Sequence, residues 1–302
     1  MDKGRIESFS VSLLDAIVLT VTNKPNAYGM DMFAADLKKV LVGASRLTGL
    51  LTALLLLSGP VYAFDAKEHL VPTVHEQVTT EALSRAVCQA NLKVIALGSD
   101  GETASANTQV DDSYKHFKDK NLLKTLNYVE REKRKVLNFC ATADVDQKNR
   151  VRALYHFGVI LHTLQDFYST SNYLELKLEE MKKAHHAPTS ENLYNLPLID
   201  WSTLLSLLRN GERTSIVVEG FDKSDADDPE AKLTVGGITY FALAKELAVR
   251  ETERQWQQLE SLIKAKLKGN GTAVTVSLKS AGCPEQLVSD VLKGGDNLVP
   301  EI

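Results

Sequence analysis

The chain has 302 residues, 44% apolar and 25% charged, an ordinary globular composition with material for a sizeable core. A net charge of −4 and a pI near 6.0 leave no basic face for duplex nucleic acid. Cys88, Cys140 and Cys283 are too few for a disulfide scaffold and lack zinc-ribbon spacing; in an exported chain they allow one bridge and one free thiol, and sequence does not say which pair.

The N-terminal stretch reads as a secretory leader. Lys38, Lys39 and Arg46 precede an apolar run from Leu47 to Leu57, and Val61-Tyr62-Ala63 supplies a small-residue cleavage site. That run is too short for the roughly 20 residues a bilayer span needs, so no transmembrane anchor is expected after cleavage. Residues 1–29 are untypical of a leader, which makes Met30 or Met32 candidate true starts. The mature chain then begins at Phe64, and export places it in a periplasm or outside the cell.

The mature chain has helical periodicity nearly throughout. Apolar residues recur at three- and four-residue steps over 70–97, and a polar loop follows. Residues 119–139 read as a charged amphipathic helix and 146–169 as a long buried one. A helix over 173–186 stops at Pro188, and two more cover 198–209 and 240–268. Between these two, 210–237 is a loop-rich excursion with short strands, and "GNGTAVTVSLKSAGCPEQ" suggests a small strand-bearing tail. The expected architecture is an all-α, multi-helix bundle around a buried metal site: leader 1–63, helical domain 64–268 and C-terminal tail 269–302.

Within the long helix, His162 and Asp166 stand four residues apart, on one face. Spacing alone does not make them ligands. With 39 acidic residues in 302 and seven histidines, 7 × 39/302 gives about one such pair by chance, and one is present. A buried His–Asp hydrogen bond is therefore the plain alternative. Other donor segments favour a metal: His75 lies near the new N-terminus, whose amine can itself ligate, and Asp111, Asp112 and His116 share one short segment. Several nitrogen donors with carboxylates suit zinc. Gln165 sits close enough to support the pair. His156 reads as a packed core residue and His185 and His186 as exposed at a helix end.

The blocks "HEQVTTEAL", "HFKDKN", "YHFGVILHTLQDFYSTSNYLEL" and "LAKELAVRETERQW" resemble, in order, the helical zinc-dependent phospholipase C and single-strand nuclease superfamily, nearest its heterokaryon-incompatibility branch. The resemblance covers most of 64–265. It implies metal ligation by Phe64, His75, Asp111, His116, His162 and Asp166, with Asp166 bridging two zinc ions and Asp111 or Asp166 orienting a catalytic water. His69 competes with His75, and Asp100 and Asp112 with Asp111. The third zinc of that superfamily is doubtful here. Thr170 and Asn172 stand where relatives place histidines, Phe241 stands near another, and only Glu246 or Glu251 could supply the later acid.

Two functions follow from the resemblance. One is an exported zinc-dependent phosphodiester hydrolase, phospholipase C-like, with a phosphodiester substrate such as a phospholipid. The other is a degenerate, non-catalytic member whose metal staples a binding or interaction protein.

Overall fold

Side-chain caps mark where the helices begin. In the computed structural model, which describes residues 72–100, 113–218, 223, 227–229 and 231–293, Thr73 accepts from the Glu76 amide and starts α1 (Val74–Leu83). Cys88 precedes α2 (Gln89–Ser99), Asn121 caps α3 (Leu122–Cys140), and Asp146 caps α4 (Gln147–Thr170) through the Lys148 and Asn149 amides. Then come α5 (Tyr173–Lys183), α6 (Ser190–Tyr194) and α7 (Trp201–Arg209). A two-stranded antiparallel hairpin, β1 (Thr234–Val235) and β2 (Ile238–Thr239), turns through Gly236 and Gly237, both at positive φ. Thr239 caps α8 (Tyr240–Lys266), and α9 (Gly271–Ser280) and α10 (Glu285–Lys293) close the described chain.

The described residues lie in one unit, Ala66–Ile302; the other unit, Met1–Asp65, falls outside them. The all-α, multi-helix expectation holds: ten helices and one short hairpin among the described residues. No helix among them is long and apolar enough to cross a membrane.

Helix α4 is the hub. From His156 to Thr170 all but Val159 are buried, because α2, α3 and α8 pack against it from different sides. The tightest contact is with α2. A Cβ at Gly98 would overlap the Tyr155 carbonyl oxygen, and one at Gly158 would overlap the Ile95 carbonyl oxygen. Two glycines thus let two helix backbones touch, as no larger pair could.

The periodic 70–97 stretch forms two helices, with the chain turning at 84–88 between α1 and α2. One expectation needs correction. The expected strand-bearing tail is helical, α9 and α10. Its Val-Thr-Val run has strand propensity, but Val274 and Leu278, one turn apart, are buried, and Gly271 lies against the α8 backbone at Ile263 and Lys264. Tertiary packing outweighs a propensity worth only about 1 kcal/mol. Helix α6, absent from the sequence reading, is a single turn held by its Thr189 cap, too short to show periodicity.

Candidate metal centre

The Gly98–Gly158 contact brings the end of α2 alongside α4 one turn before His162. There the Ser99 carbonyl oxygen accepts from His162 Nδ1 at 2.8 Å. A carbonyl only accepts, so Nδ1 carries the proton and Nε2 presents a lone pair.

His75, in the first turn of α1, is fixed by the same logic through a longer chain of hydrogen bonds. Ser99 Oγ donates to Ala96 O, and Thr79 Oγ1 donates to Ser99 Oγ. Thr252 Oγ1 donates to Ala248 O. Both threonine hydroxyls have thereby spent their protons, so they accept the two amide protons of Gln165, at 3.1 and 3.0 Å. Gln165 is left with its Oε1, which lies 2.9 Å from His75 Nδ1 and must accept from it. His75 Nε2 therefore also presents a lone pair. Gln165 thus orients His75 rather than the His162–Asp166 pair.

Both Nε2 atoms face Asp166. His75 Nε2 is 3.1 Å from Oδ1, and His162 Nε2 is 3.2 Å from Oδ2. His116 Nδ1 stands 2.7 Å from His162 Nε2 and 3.7 Å from Asp166 Oδ2. Burial of Asp166 opposes its charge; when the facing imidazoles carry protons, the charges of His162 and His75, then hydrogen bonds from His116 and His162, hold its carboxyl well below the ordinary range. An ionised, buried carboxylate facing two lone pairs is a concentration of acceptors that requires a cation: a metal ion or additional imidazole protons.

The donors fit a metal. Ligand atoms of His75, His162 and Asp166 lie within 4.8 Å of one another. The 3.1 and 3.2 Å contacts approach the edge of a zinc tetrahedron, about 3.3 Å for bonds of ~2.0–2.1 Å. Pinning each histidine through its other ring nitrogen is how metal-binding imidazoles are held.

His116 is placed by strain and by clamps. Phe117 is fully buried at φ 50°, an unfavourable region for a bulky residue, and its ring packs edge-on against Phe167. Two α4 hydroxyls hold this turn: Thr163 donates to Lys115 O at 2.7 Å and Thr170 to Phe117 O at 3.0 Å. The His116 side chain is 36% exposed against 5% for Asp166, so it closes the outer side of the cluster.

Among the described residues, no set of donors converges for the third site. Thr170 is committed to the Phe117 clamp. Asn172 pairs through its side chain with Ser215 O and the Val217 amide. Glu251 accepts from Tyr168 at 2.7 Å, Trp201 at 2.9 Å, Gln255 at 2.7 Å and also Arg254, leaving a saturated carboxylate. Burial and that carboxylate raise Tyr168 far above the ordinary phenol range, so it remains a donor. Phe241 lines a cavity of about 20 Å³ beside His75, with Lys223, Gln165 and Ser169.

Phe64, Asp111, His69 and Asp112 lie outside the described residues. Asp100 ends α2 next to Ser99 but is not in the convergent set. His156 is a core residue, 2.7 Å from Glu132 and stacked on Phe139, and His185 and His186 are exposed. All three cysteines are free thiols.

Residues 71–198 match the family model described as the VWA7 N-terminal domain. Comparisons with curated proteins and with solved structures found no match. The family match corrects the expected kinship with zinc-dependent phospholipases C, single-strand nucleases and the heterokaryon-incompatibility branch, and with it the words hydrolase and phospholipase C-like. Three of the four blocks lie on helices and HFKDKN lies in the turn before α3, and apolar helix faces with a few buried polar residues are what bundles of different families can present alike. Over the segment that carries His75, His116, His162 and Asp166, this chain is similar to the VWA7 N-terminal domain.

Proposed function

We propose that residues 72–293 form a non-catalytic interaction domain whose helices are stapled by a metal ion. His75, His162 and Asp166 hold it, and His116 completes the set. The observation that carries this reading is the pair of Nε2 atoms turned toward one buried carboxylate, each ring fixed by an acceptor on its Nδ1. Three nitrogens and one oxygen favour zinc over harder cations. The described donors serve one ion; a second would draw on Phe64 and Asp111. In this role the metal ties α1, the 113–117 turn and α4 together.

Three features support a binding role over a catalytic one. The family match is to a domain named as one part of a larger protein. Thr170, Asn172 and Glu251 are consumed by structural hydrogen bonds. The cavity beside His75 has room for about one water. The leader in the sequence supports an exported protein, and no described helix offers a membrane anchor.

Thermal melting of the metal-free protein, with and without added zinc, tests the proposal. A rise in Tm that depends on zinc concentration is expected, with no turnover of phosphodiester substrates by the zinc-loaded protein. An unchanged Tm would remove the staple, and phosphodiester turnover would remove the non-catalytic role.

A further inference from the structure

We propose that Cys88 and Cys283 form a disulfide, with Cys140 the chain's remaining thiol. Sequence allows one bridge among three cysteines and leaves the pairing open; the fold separates them. Cys140 is fully buried at the end of α3, and burial pushes its thiol up to about 12, so it neither meets an oxidant nor forms the attacking thiolate.

Cys88 and Cys283 instead stand on facing segments, where the α1–α2 turn receives the end of α9. The Cys88 amide donates to Lys279 O at 2.7 Å, and the Cys283 amide donates to Asn91 Oδ1 at 3.0 Å. Asn91 also donates to Leu278 O at 2.9 Å and Ala281 O at 3.1 Å, and a Cβ at Gly282 would touch that of Ala90 at 3.4 Å. Each cysteine is thus bonded to the segment carrying the other. Burial raises Cys283, the Arg150 guanidinium lowers it by hydrogen bond and charge, and the Cys88 thiolate raises it. Arg150 is held in place by Ser277 Oγ at 2.9 Å.

Exposure orders the chemistry. Cys88 is half-buried and Cys283 is buried. The Cys88 thiolate attacks one sulfur of a small disulfide oxidant such as oxidised glutathione, breaking its S–S bond and releasing one glutathione thiolate, which takes up a proton. Cys283, whose thiol is raised on balance by burial while Arg150 partly offsets the rise, then attacks as its thiolate the Cys88 sulfur of the mixed disulfide and releases the second glutathione. Two thiols lose two electrons and two protons, and one oxidised glutathione becomes two reduced. The product ties α9 and α10 to the start of α2 across most of the described sequence, a long loop of the kind whose closure most restricts the unfolded chain.

The test is to equilibrate the purified full chain with excess oxidised glutathione, alkylate, and digest with trypsin without reduction. Peptide 86–93 linked to peptide 280–293 is expected, with peptide 136–148 carrying an alkylated Cys140. The oxidised protein should melt several degrees above the reduced one, and Cys88→Ser should abolish both the linkage and the shift. A linkage that includes Cys140, or three alkylated thiols after equilibration, would overturn the proposal.

Discussion

Gly98 of α2 and Gly158 of α4 face each other so closely that a Cβ on Gly158 would come within 2.8 Å of the Gly98 Cα. One turn further along α4, this contact delivers the Ser99 carbonyl to His162 Nδ1. The packing of two backbones therefore decides which nitrogen of His162 faces Asp166.

Gly158→Ala should cost about 3 kcal/mol or more, because the added methyl meets backbone that cannot swing aside. It should also weaken zinc binding by moving Ser99. Gly269→Ala, which adds a methyl to open space, should stay within about 0.5 kcal/mol of wild type and leave zinc binding intact. Chemical denaturation and zinc titration of both variants check this.

Gln165 orients His75 without touching the ion. Gln165→Ala should lower zinc affinity about 10–100-fold while leaving the stoichiometry unchanged, since all four donors remain. Competition with a chromophoric chelator reads the affinity. Unaltered affinity would mean that His75 is positioned by its helix alone.

Glu251 separates structure from metal binding. Its carboxylate gathers Tyr168, Trp201, Gln255 and Arg254 from α4, α7 and α8. Glu251→Gln should reduce stability by about 2–3 kcal/mol, by weakening charged hydrogen bonds, with zinc content unchanged. Zinc lost from an otherwise folded Glu251→Gln protein would place this residue in the metal site.

Glu132 provides a pH dependence away from the metal cluster. Burial raises its pKa, but the His156 hydrogen bond and charge, with Lys135 at 3.0 Å, bring it below the ordinary glutamate value. A depressed folded pKa contributes stability above the unfolded value, about 4.3, which is lost as pH falls through the folded one. Glu132→Gln should therefore flatten the acid limb of a Tm-against-pH curve below about pH 4.3 and leave its shape near neutrality.

The bundle and its hub helix were legible because buried helices carry long apolar periodicity, and His162 and Asp166 because four residues put them on one face. What fixes the site was not. Thr79, Ser99, Gln165 and Thr252 come from four helices, and no spacing links them. Thr170 shows the same limit: as a letter it reads as a lost ligand, and in the fold it clamps Phe117 O and so places His116. The tail misled for a different reason, since β-branched residues describe a local preference and α8 supplies the stronger packing. The ordered resemblance to zinc phospholipases rested on such helix faces, and it did not predict the family model that matches.

The central claim is that the Nε2 atoms of His75 and His162, with Asp166, hold a metal ion. Elemental mass spectrometry of protein beginning at Phe64, purified without chelator, measures this most directly, beside the Asp166→Asn variant. About one zinc per chain, lost in Asp166→Asn while helical circular dichroism persists, is the predicted result. Folded wild-type protein carrying no zinc or other transition metal would contradict it and leave protons as the cations of the cluster.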